Sequence, residues 1–303
     1  MRLAGQSLLI AAVLACFAPA RAALPDTVEA LVAAGQLPVA EQQVHAAEAK
    51  LGSGAELAAA LSWLARGELE QRQLVKADSY AAQARSMGLR ALGISNIDSD
   101  PFLPTAIGAS IEVHALVLAS RGQTTQALSF LHQELGSWGR TSIGERIRKN
   151  INLLSLEGKP APPLQGFNLA SLKGRPVILF FWAHWCPDCK ADAPIIAAVR
   201  KRFASQGLTV VGPTRLYGYA AGGDPATPTA ERQYIEQIRQ RYYSALSGMP
   251  TPVSAANFEV YGASTTPTLV LVDRGGIVRD YHPGAMSGEE LTQKVETLLL
   301  QSH

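Results

Sequence analysis

The fold of this 303-residue chain is decided by the segment Phe181-Trp-Ala-His-Trp-Cys186-Pro-Asp-Cys189-Lys190. It overlaps Val177-Ile-Leu-Phe-Phe-Trp182, an unbroken apolar run that is typical of a strand buried on both faces. The residues from 189 to 206 have a helical pattern. A Cys-x-x-Cys pair between a buried strand and a helix predicts a redox-active dithiol rather than a structural pair.

The position of the two cysteines at a helix start also predicts their roles. A helix N-terminus presents free N–H groups and partial positive charge, which stabilise a thiolate and lower its pKa. We therefore expect Cys186 to attack and Cys189, one turn further in and buried, to resolve the mixed disulfide. Pro187 suits the first turn, where the missing N–H costs nothing.

The first 22 residues have the pattern of a signal peptide. Arg2 is followed by an apolar stretch at residues 7–15, too short to span a bilayer, and by the cleavage pattern Ala20-Arg21-Ala22. A lipoprotein anchored at Cys16 is the alternative, because Val13-Leu-Ala-Cys16 resembles a lipobox. Both alternatives predict export, so we expect a periplasmic protein that touches the membrane only if it is lipidated.

Cysteine usage supports a reactive rather than a stabilising role. The chain has three cysteines, and removal of the signal peptide leaves only Cys186 and Cys189. An exported protein stabilised by disulfides would carry more of them, spread along the chain. A zinc site would need four ligands, and only His184 lies nearby, so we expect neither a metal nor a cofactor.

Residues 23–157 predict an all-α domain. Apolar residues recur at helical spacing over residues 46–66, 74–87, 111–121 and 125–135. The last two helices meet at Gly122-Gln123 and resemble part of a tetratricopeptide repeat, through Ala115, Ala127 and Leu131. Plain helical hairpins with small residues at their contacts are the alternative. This domain is also the candidate surface for a protein partner.

The amino-acid composition changes at residues 158–163, Gly-Lys-Pro-Ala-Pro-Pro, which predicts a linker. Residues 164–303 then predict a strand, a helix, a strand, a helix, a hairpin and a final helix. The hairpin turns at Arg274-Gly-Gly276, and Ser287 is the expected N-cap of the last helix, with Glu290 three residues on. Residues 215–229 interrupt this order as a segment rich in Gly and Pro, read either as a substrate groove with Tyr217 and Tyr219 or as a solvent loop.

The segment around the cysteines resembles the thioredoxin superfamily, and in particular its exported TlpA/ResA-like branch. The resemblance covers residues 159–303 and implies a central mixed sheet flanked by helices. Thr266-Pro267 before a strand matches the family's cis-proline loop, which implies that Pro267 is cis and that the Thr266 backbone pairs with substrate. Trp185 would be an aromatic residue at the rim of the site.

Two departures from the family concern proton handling and redox potential. Phe180 stands where classical thioredoxin has a buried acid. Cys189-Lys-Ala-Asp192-Ala-Pro194 matches the branch's pattern and makes Asp192 the candidate proton acceptor; the alternative is an ordinary acid interacting with the helix dipole. Asp188 should raise the pKa of Cys186 and favour a reducing couple.

The function predicted is thiol–disulfide exchange on exported proteins, in the direction of reduction. Its partners would be protein dithiol or disulfide substrates and an upstream electron donor. The near-neutral net charge of +2, without a basic run, gives no indication of nucleic-acid binding. Two alternatives are a peroxiredoxin-like peroxidase, whose Pro-x-x-x-Thr-x-x-Cys pattern is missing here, and a redox-linked binding module that uses the helical domain.

Overall fold

The computed structural model describes residues 22–51, 54–93 and 96–300. The predicted signal peptide, apart from Ala22, and the candidate lipidation site at Cys16 lie outside these residues. The described chain has a helical N-terminal half and a C-terminal half built on a four-stranded sheet.

The N-terminal half contains, within the described residues, seven α-helices joined by short connections. They are α1 (Leu24–Ala33), α2 (Leu37–Leu51), α3 (Ala55–Glu70), α4 (Leu74–Leu92), α5 (Leu103–Ser120), α6 (Thr124–Trp138) and α7 (Gly144–Ser155).

The same backbone turn closes three of these connections. In each, a residue with positive φ (Gly35, Arg72 or Gly122) precedes a glutamine whose N–H donates to a carbonyl five residues earlier. Such a bond ends a helix in the manner of a Schellman motif. The recurrence agrees with the predicted helical hairpins, while the likeness to tetratricopeptide repeats stays a prediction.

The single helix predicted for residues 46–66 is wrong. Helix α2 ends at Leu51 and α3 begins at Ala55. Gly54 is the N-cap of α3 and has an extended backbone, with φ −147° and ψ 175°. Glycine is a poor helix former, so the sequence Gly-Ser-Gly at 52–54 outweighs the apolar periodicity on either side of it.

Helix α5 is, among the described helices, the one long and apolar enough to cross a membrane by length and composition. More than half of it is buried inside the protein, where it packs against α3, α4, α6 and α7. A helix that is apolar on nearly all sides suits the centre of a helical domain. We therefore interpret α5 as the core helix of this half.

The C-terminal half is a mixed sheet flanked by helices, as the resemblance implied. The strand order is β2-β1-β3-β4, in which β1 runs parallel to β2 and antiparallel to β3, and β3 runs antiparallel to β4. Its elements are β1 (Val177–Phe181), α8 (Pro187–Arg202), β2 (Thr209–Val211), α9 (Pro228–Tyr242), α10 (Ala255–Tyr261), β3 (Thr268–Val272), β4 (Val278–Pro283) and α11 (Gly288–Leu300).

Strand β1 is buried on both faces, which explains its continuous apolar run. On one face Phe180 joins a core formed with α8 and α11, including Ile196 and Leu291. On the other face Phe181 packs against Phe258 of α10, with ring centroids 5.4 Å apart. Packing on both faces of the sheet therefore fixes the end of β1 and the start of α8, which follows it.

The segment predicted as a linker is docked along the edge of the sheet. The N–H of Gly158 donates to the carbonyl of Val278, and the N–H of Val278 donates to the carbonyl of Lys159. The N–H of Ala161 adds a third bond, to Gly276. The segment thus continues the sheet beyond β4, and the domain boundaries drawn around it stay a prediction.

Side-chain caps set the starts of α9 and α11. The predicted cap of α11 is confirmed, since the N–H of Glu290 donates to Oγ of Ser287 (3.1 Å). Helix α9 begins at Pro228, inside the segment 215–229 that the sequence predicts as an insertion, because the hydroxyl of Thr227 accepts the N–H of Ala230 (3.3 Å).

Candidate functional site

The two cysteines lie at the start of α8, directly after β1. Cys186 is the N-cap residue, and a disulfide joins it to Cys189 in the first turn. The N–H of Cys189 donates to Sγ of Cys186 (3.0 Å), so one of the free donors of the helix N-terminus is directed at that sulfur. In the reduced protein this donor would stabilise a thiolate on Cys186.

Burial does not distinguish the two cysteines. Cys186 is 1% exposed and Cys189 is 0% exposed, although the sequence predicted a buried resolving cysteine alone. The difference between them lies in the helix cap, which favours Cys186 as the nucleophile. Trp185, beside Cys186, is 45% exposed and is the accessible aromatic residue at this end of the helix.

The loop before β3 faces the disulfide. The peptide bond between Thr266 and Pro267 is cis, as the resemblance implied. The backbone oxygen of Thr266 lies 3.5 Å from Sγ of Cys186, and the Thr266 hydroxyl is buried without a hydrogen-bond partner. This geometry brings the predicted residues Cys186, Thr266 and Pro267 together, with a backbone acceptor next to the reactive sulfur.

Asp192 lies one turn after Cys189 on α8 and is 5% exposed. Burial raises the pKa of its carboxyl to about 6; the N–H of Met286 and the charge of His282 oppose this effect, and the charge of Asp188 adds to it. Its Oδ2 is buried and has no hydrogen-bond partner among the residues that the structure describes. A carboxyl of this kind exchanges protons near neutral pH, as the role suggested for Asp192 requires.

Tyr243 is a neighbour of this region that the sequence did not indicate. Its ring packs against Trp182 and Phe180, with centroid distances of 4.6 and 6.1 Å. Burial, and secondarily the charge of Asp192, raises the pKa of the Tyr243 hydroxyl, which has no hydrogen-bond partner within the described part of the chain. Tyr243 therefore fills, with an uncharged phenol, the space beside Phe180 that faces Asp192.

His184 is a second buried polar residue beside the cysteines. Its Nε2 lies 3.1 Å from Oε1 of Glu231, and both side chains are 1% exposed. Burial lowers the pKa of His184, which favours the neutral imidazole. Three tyrosine rings surround it edge-on, with centroids 5.3 to 5.6 Å away: Tyr217, Tyr219 and Tyr234.

Residues 215–219, the first part of the insertion, fold back onto the site, while residues 221–225 are exposed to solvent. The carboxylate of Glu231 accepts the backbone N–H groups of Tyr217 (2.5 Å) and Gly218 (2.8 Å). The Tyr217 ring contacts Trp185 edge-on, with centroids 5.5 Å apart. Arg215, over the same ring, forms an ion pair with Glu145 of α7. The insertion therefore connects the start of α8 to the helical half.

His282 is a residue of strand β4, paired with Leu269 of β3, rather than the turn residue that its position before Pro283-Gly284 predicts. Its Nε2 lies 3.2 Å from the backbone oxygen of Ala285, in the connection between β4 and α11.

Comparisons with known proteins agree with this geometry. Residues 165–299 match the family model of a thioredoxin-like domain. The thiol:disulfide interchange protein DsbE of Xylella fastidiosa strain Temecula1 is 28% identical over 155 residues, covering 48% of this chain and 70% of the relative. The thiol-disulfide oxidoreductase ResA of Geobacillus thermodenitrificans is 24% identical over 187 residues, covering 60% of this chain and 90% of the relative.

A solved structure, that of MTB dsbF in its mixed oxidized and reduced forms, is 27% identical to this chain. It covers 44% of this chain and 87% of its own, with a TM-score of 0.35.

Proposed function

We propose that this chain, a thiol–disulfide oxidoreductase whose residues 165–299 match a thioredoxin-like domain, reduces disulfides of exported proteins through Cys186 and Cys189. The observation that carries the proposal is the Cys186–Cys189 disulfide at the N-terminus of α8, opposite the Thr266 carbonyl. A dithiol at this position gains an activated thiolate and a backbone partner for a substrate strand.

The reaction is a pair of thiol–disulfide exchanges. The Cys186 thiolate attacks one sulfur of a substrate disulfide, and the other substrate sulfur leaves as a thiolate that takes a proton. The Cys189 thiolate then attacks Sγ of Cys186, which breaks the mixed disulfide and releases the substrate sulfur that was bound to Cys186. Two electrons pass from the protein to the substrate, and an upstream dithiol reduces the Cys186–Cys189 disulfide again.

Asp192 is the proposed acceptor of the Cys189 proton. Cys189 is fully buried, so solvent has poor access to its thiol. Asp192 follows one turn later on the same helix, and its pKa of about 6 leaves it mostly ionised at neutral pH but a better base than an ordinary aspartate. Transfer to Asp192 would generate the Cys189 thiolate needed for the second exchange.

The substrate would lie between Trp185 and the loop at Thr266. An extended segment hydrogen-bonded to the Thr266 backbone passes within reach of Cys186, because the Thr266 oxygen is 3.5 Å from its sulfur. The exposed indole of Trp185 offers apolar contact on the other side. The signal-peptide pattern of residues 1–22 supports action on exported proteins in the periplasm.

Trapping distinguishes the roles of the two cysteines. Reduced Cys189→Ser should accumulate a mixed disulfide with a disulfide-bonded test protein such as insulin, because the resolving thiol is missing. Reduced Cys186→Ser should not. Mass mapping of the linked peptides identifies the sulfur that attacked, and trapping through Cys189 would overturn the assignment.

The reduction potential of the couple tests the direction. With Asp188 between the cysteines and no basic residue there, equilibration against glutathione should give a potential below about −200 mV. A value near that of DsbA, about −120 mV, would make the protein an oxidant and contradict the proposal.

A further inference from the structure

A cleft of about 440 Å³ lies between the helical half and the loop that leads into cis-Pro267. Helices α3, α5 and α7 form one wall, and Ser264 and Thr265 belong to the other. We call it the basic cleft, after Arg66, Arg146 and Lys149, which line it together with Glu112.

The basic cleft holds more positive than negative charge in a mostly buried setting. Among the described residues that line the cleft, Glu112 is the mostly buried carboxylate, with its side chain 14% exposed. Its Oε2 lies 2.9 Å from Nζ of Lys149 and 3.8 Å from Nη2 of Arg66. A second lining acid, Glu70, is exposed at the rim and is screened by solvent. The interior therefore carries two positive charges in excess.

Two guanidinium nitrogens of the basic cleft have no partner. Nη1 of Arg146 and Nε of Arg66 are buried and make no hydrogen bond within the described residues. Burial alone would raise the pKa of Glu112, yet Lys149, Arg66 and Arg146 lower it to about 2. Since buried donors without partners cost free energy, a bound anion would stabilise this arrangement.

The basic cleft adjoins the proposed path of the substrate. Thr265 lines it and is the residue before Thr266, whose oxygen is 3.5 Å from Sγ of Cys186. One extended residue spans about 3.3 Å. A side chain one to four residues from the substrate cysteine can therefore reach the cleft while that cysteine faces Cys186.

We propose that the basic cleft binds the carboxylate of an acidic side chain on the substrate protein, close in sequence to the cysteine that Cys186 attacks. This rests on the proposed function, because it assumes that a substrate segment lies along Thr266. A guanidinium offers charge-assisted donors to a carboxylate, and Arg146 lines the cleft with its Nη1 left without a partner among the described residues. The helical half would then select substrates rather than only support the redox domain.

The test compares two disulfide peptides that differ in one residue. Each reacts in single turnover with the reduced full-length protein at fixed ionic strength. One carries Glu and the other Gln, placed in turn one to four residues on either side of the cysteine. At the best position the Glu peptide should react about tenfold faster, the factor that about 1.4 kcal/mol supplies.

Three variants locate the preference. In Arg146→Gln the ratio of the two rates should fall close to one. Ser264→Glu, at an exposed position of the opposite wall, should lower the ratio by supplying a competing carboxylate, and it leaves the buried charges in place. Arg140→Gln is the matched control, because Arg140 is exposed in the helical half outside the cleft, and it should keep the wild-type ratio.

Equal rates for Glu and Gln peptides at every position in the wild type would overturn the proposal. So would a preference that survives in both Arg146→Gln and Ser264→Glu. Failure of the proposed function has a different signature, since neither peptide would then react through Cys186.

Discussion

Asp192 links the site to the stability of the fold. Its pKa in the folded protein, about 6, is higher than the ordinary value of 3.8, because burial disfavours the charged form. The folded state is therefore more stable when the carboxyl of Asp192 is protonated. Its favourable contribution is complete below pH 3.8 and is lost as the pH rises through 6.

Asp192→Asn should remove this pH dependence. The free energy of unfolding of this variant, relative to that of the wild type, should be higher at pH 8 than at pH 4 by about 1–2 kcal/mol, after allowance for solvent screening. Urea unfolding at the two pH values measures the difference. Asp188→Asn is the control, because Asp188 is exposed in the first turn of the same helix. Equal shifts in both variants would contradict the prediction.

The same variant should slow disulfide exchange. Removal of a negative charge near the cysteines lowers their apparent pKa values and raises the thiolate fraction, yet the second exchange loses its proton acceptor. We expect turnover to fall while thiol reactivity rises above pH 6, where Asp192 of the wild type is ionised. Insulin reduction between pH 5 and pH 9 provides the profiles, and profiles that superimpose on wild type would leave Asp192 with a helix-dipole role only.

Cys186 should be alkylated before Cys189 in the reduced protein at mildly acidic pH. The reason is the helix cap at Cys186, since both cysteines are equally buried. Brief exposure to iodoacetamide followed by mass mapping gives the order. Faster labelling of Cys189 would reverse the assignment.

At the residue scale, sequence reasoning found what a short motif encodes. Cys186, Cys189, Asp192 and Thr266-Pro267 lie in local patterns, and the structure brings the cysteines and the cis-proline loop together. Glu231 was missed because its partner His184 is 47 residues away. A pairing over such a distance leaves no periodic signal in a single sequence.

The insertion at residues 215–229 depends on one carboxylate. Glu231 of α9 accepts the backbone N–H groups of Tyr217 and Gly218, and its Oε1 also lies 3.1 Å from Nε2 of His184. Glu231→Gln replaces one accepting oxygen by a donor, which leaves a buried donor facing another donor. The cost should be about 2–4 kcal/mol, within the range for a broken buried pair.

Urea unfolding and proteolysis within residues 215–229 test this prediction. Glu236→Gln is the control on the same helix, because its side chain is half exposed and pairs only with Arg239 and Gln240. The control should stay within about 0.5 kcal/mol of wild type. If both variants resist protease as well as wild type does, Glu231 does not hold the insertion.

At the scale of elements, the predictable part is the part with strong periodicity. Strands β1 and β3 and the helices α8 and α11 follow from apolar runs and caps. Helix α10 has only seven residues, too few for a 3.6-residue period to stand out. The division between α2 and α3 was missed because apolar spacing continues on both sides of Gly54.

The two halves of the molecule meet where α7 contacts α10. Gly262, which ends α10, has a φ of +61°, and a Cβ there would lie 2.3 Å from the backbone nitrogen of Lys149. The side-chain amide of Asn152 donates to the carbonyl of Val260 in the same contact. No sequence pattern predicts this close approach, because it joins residues more than 100 positions apart.

Gly262→Ala should weaken this contact between the halves. The new methyl group meets the backbone of α7, which cannot rotate away as a side chain can, so α7 and the cations that it carries must shift. Gly276→Ala is the matched control: its φ is +85°, and nothing lies within 4 Å of the added Cβ. Backbone strain alone should cost the control about 1–2 kcal/mol.

Calorimetry and the peptide assay together distinguish backbone strain at a positive φ from the steric clash of the new methyl group with α7. Gly262→Ala should lose about 1–3 kcal/mol more than the control, the usual cost of overpacking, and its helical half should unfold in a separate transition. Because Arg146 and Lys149 lie on α7, the preference for Glu peptides should fall in Gly262→Ala and persist in Gly276→Ala. Equal losses of stability in the two variants would mean that α7 yields to the methyl group, and that the basic cleft does not depend on the contact with α10.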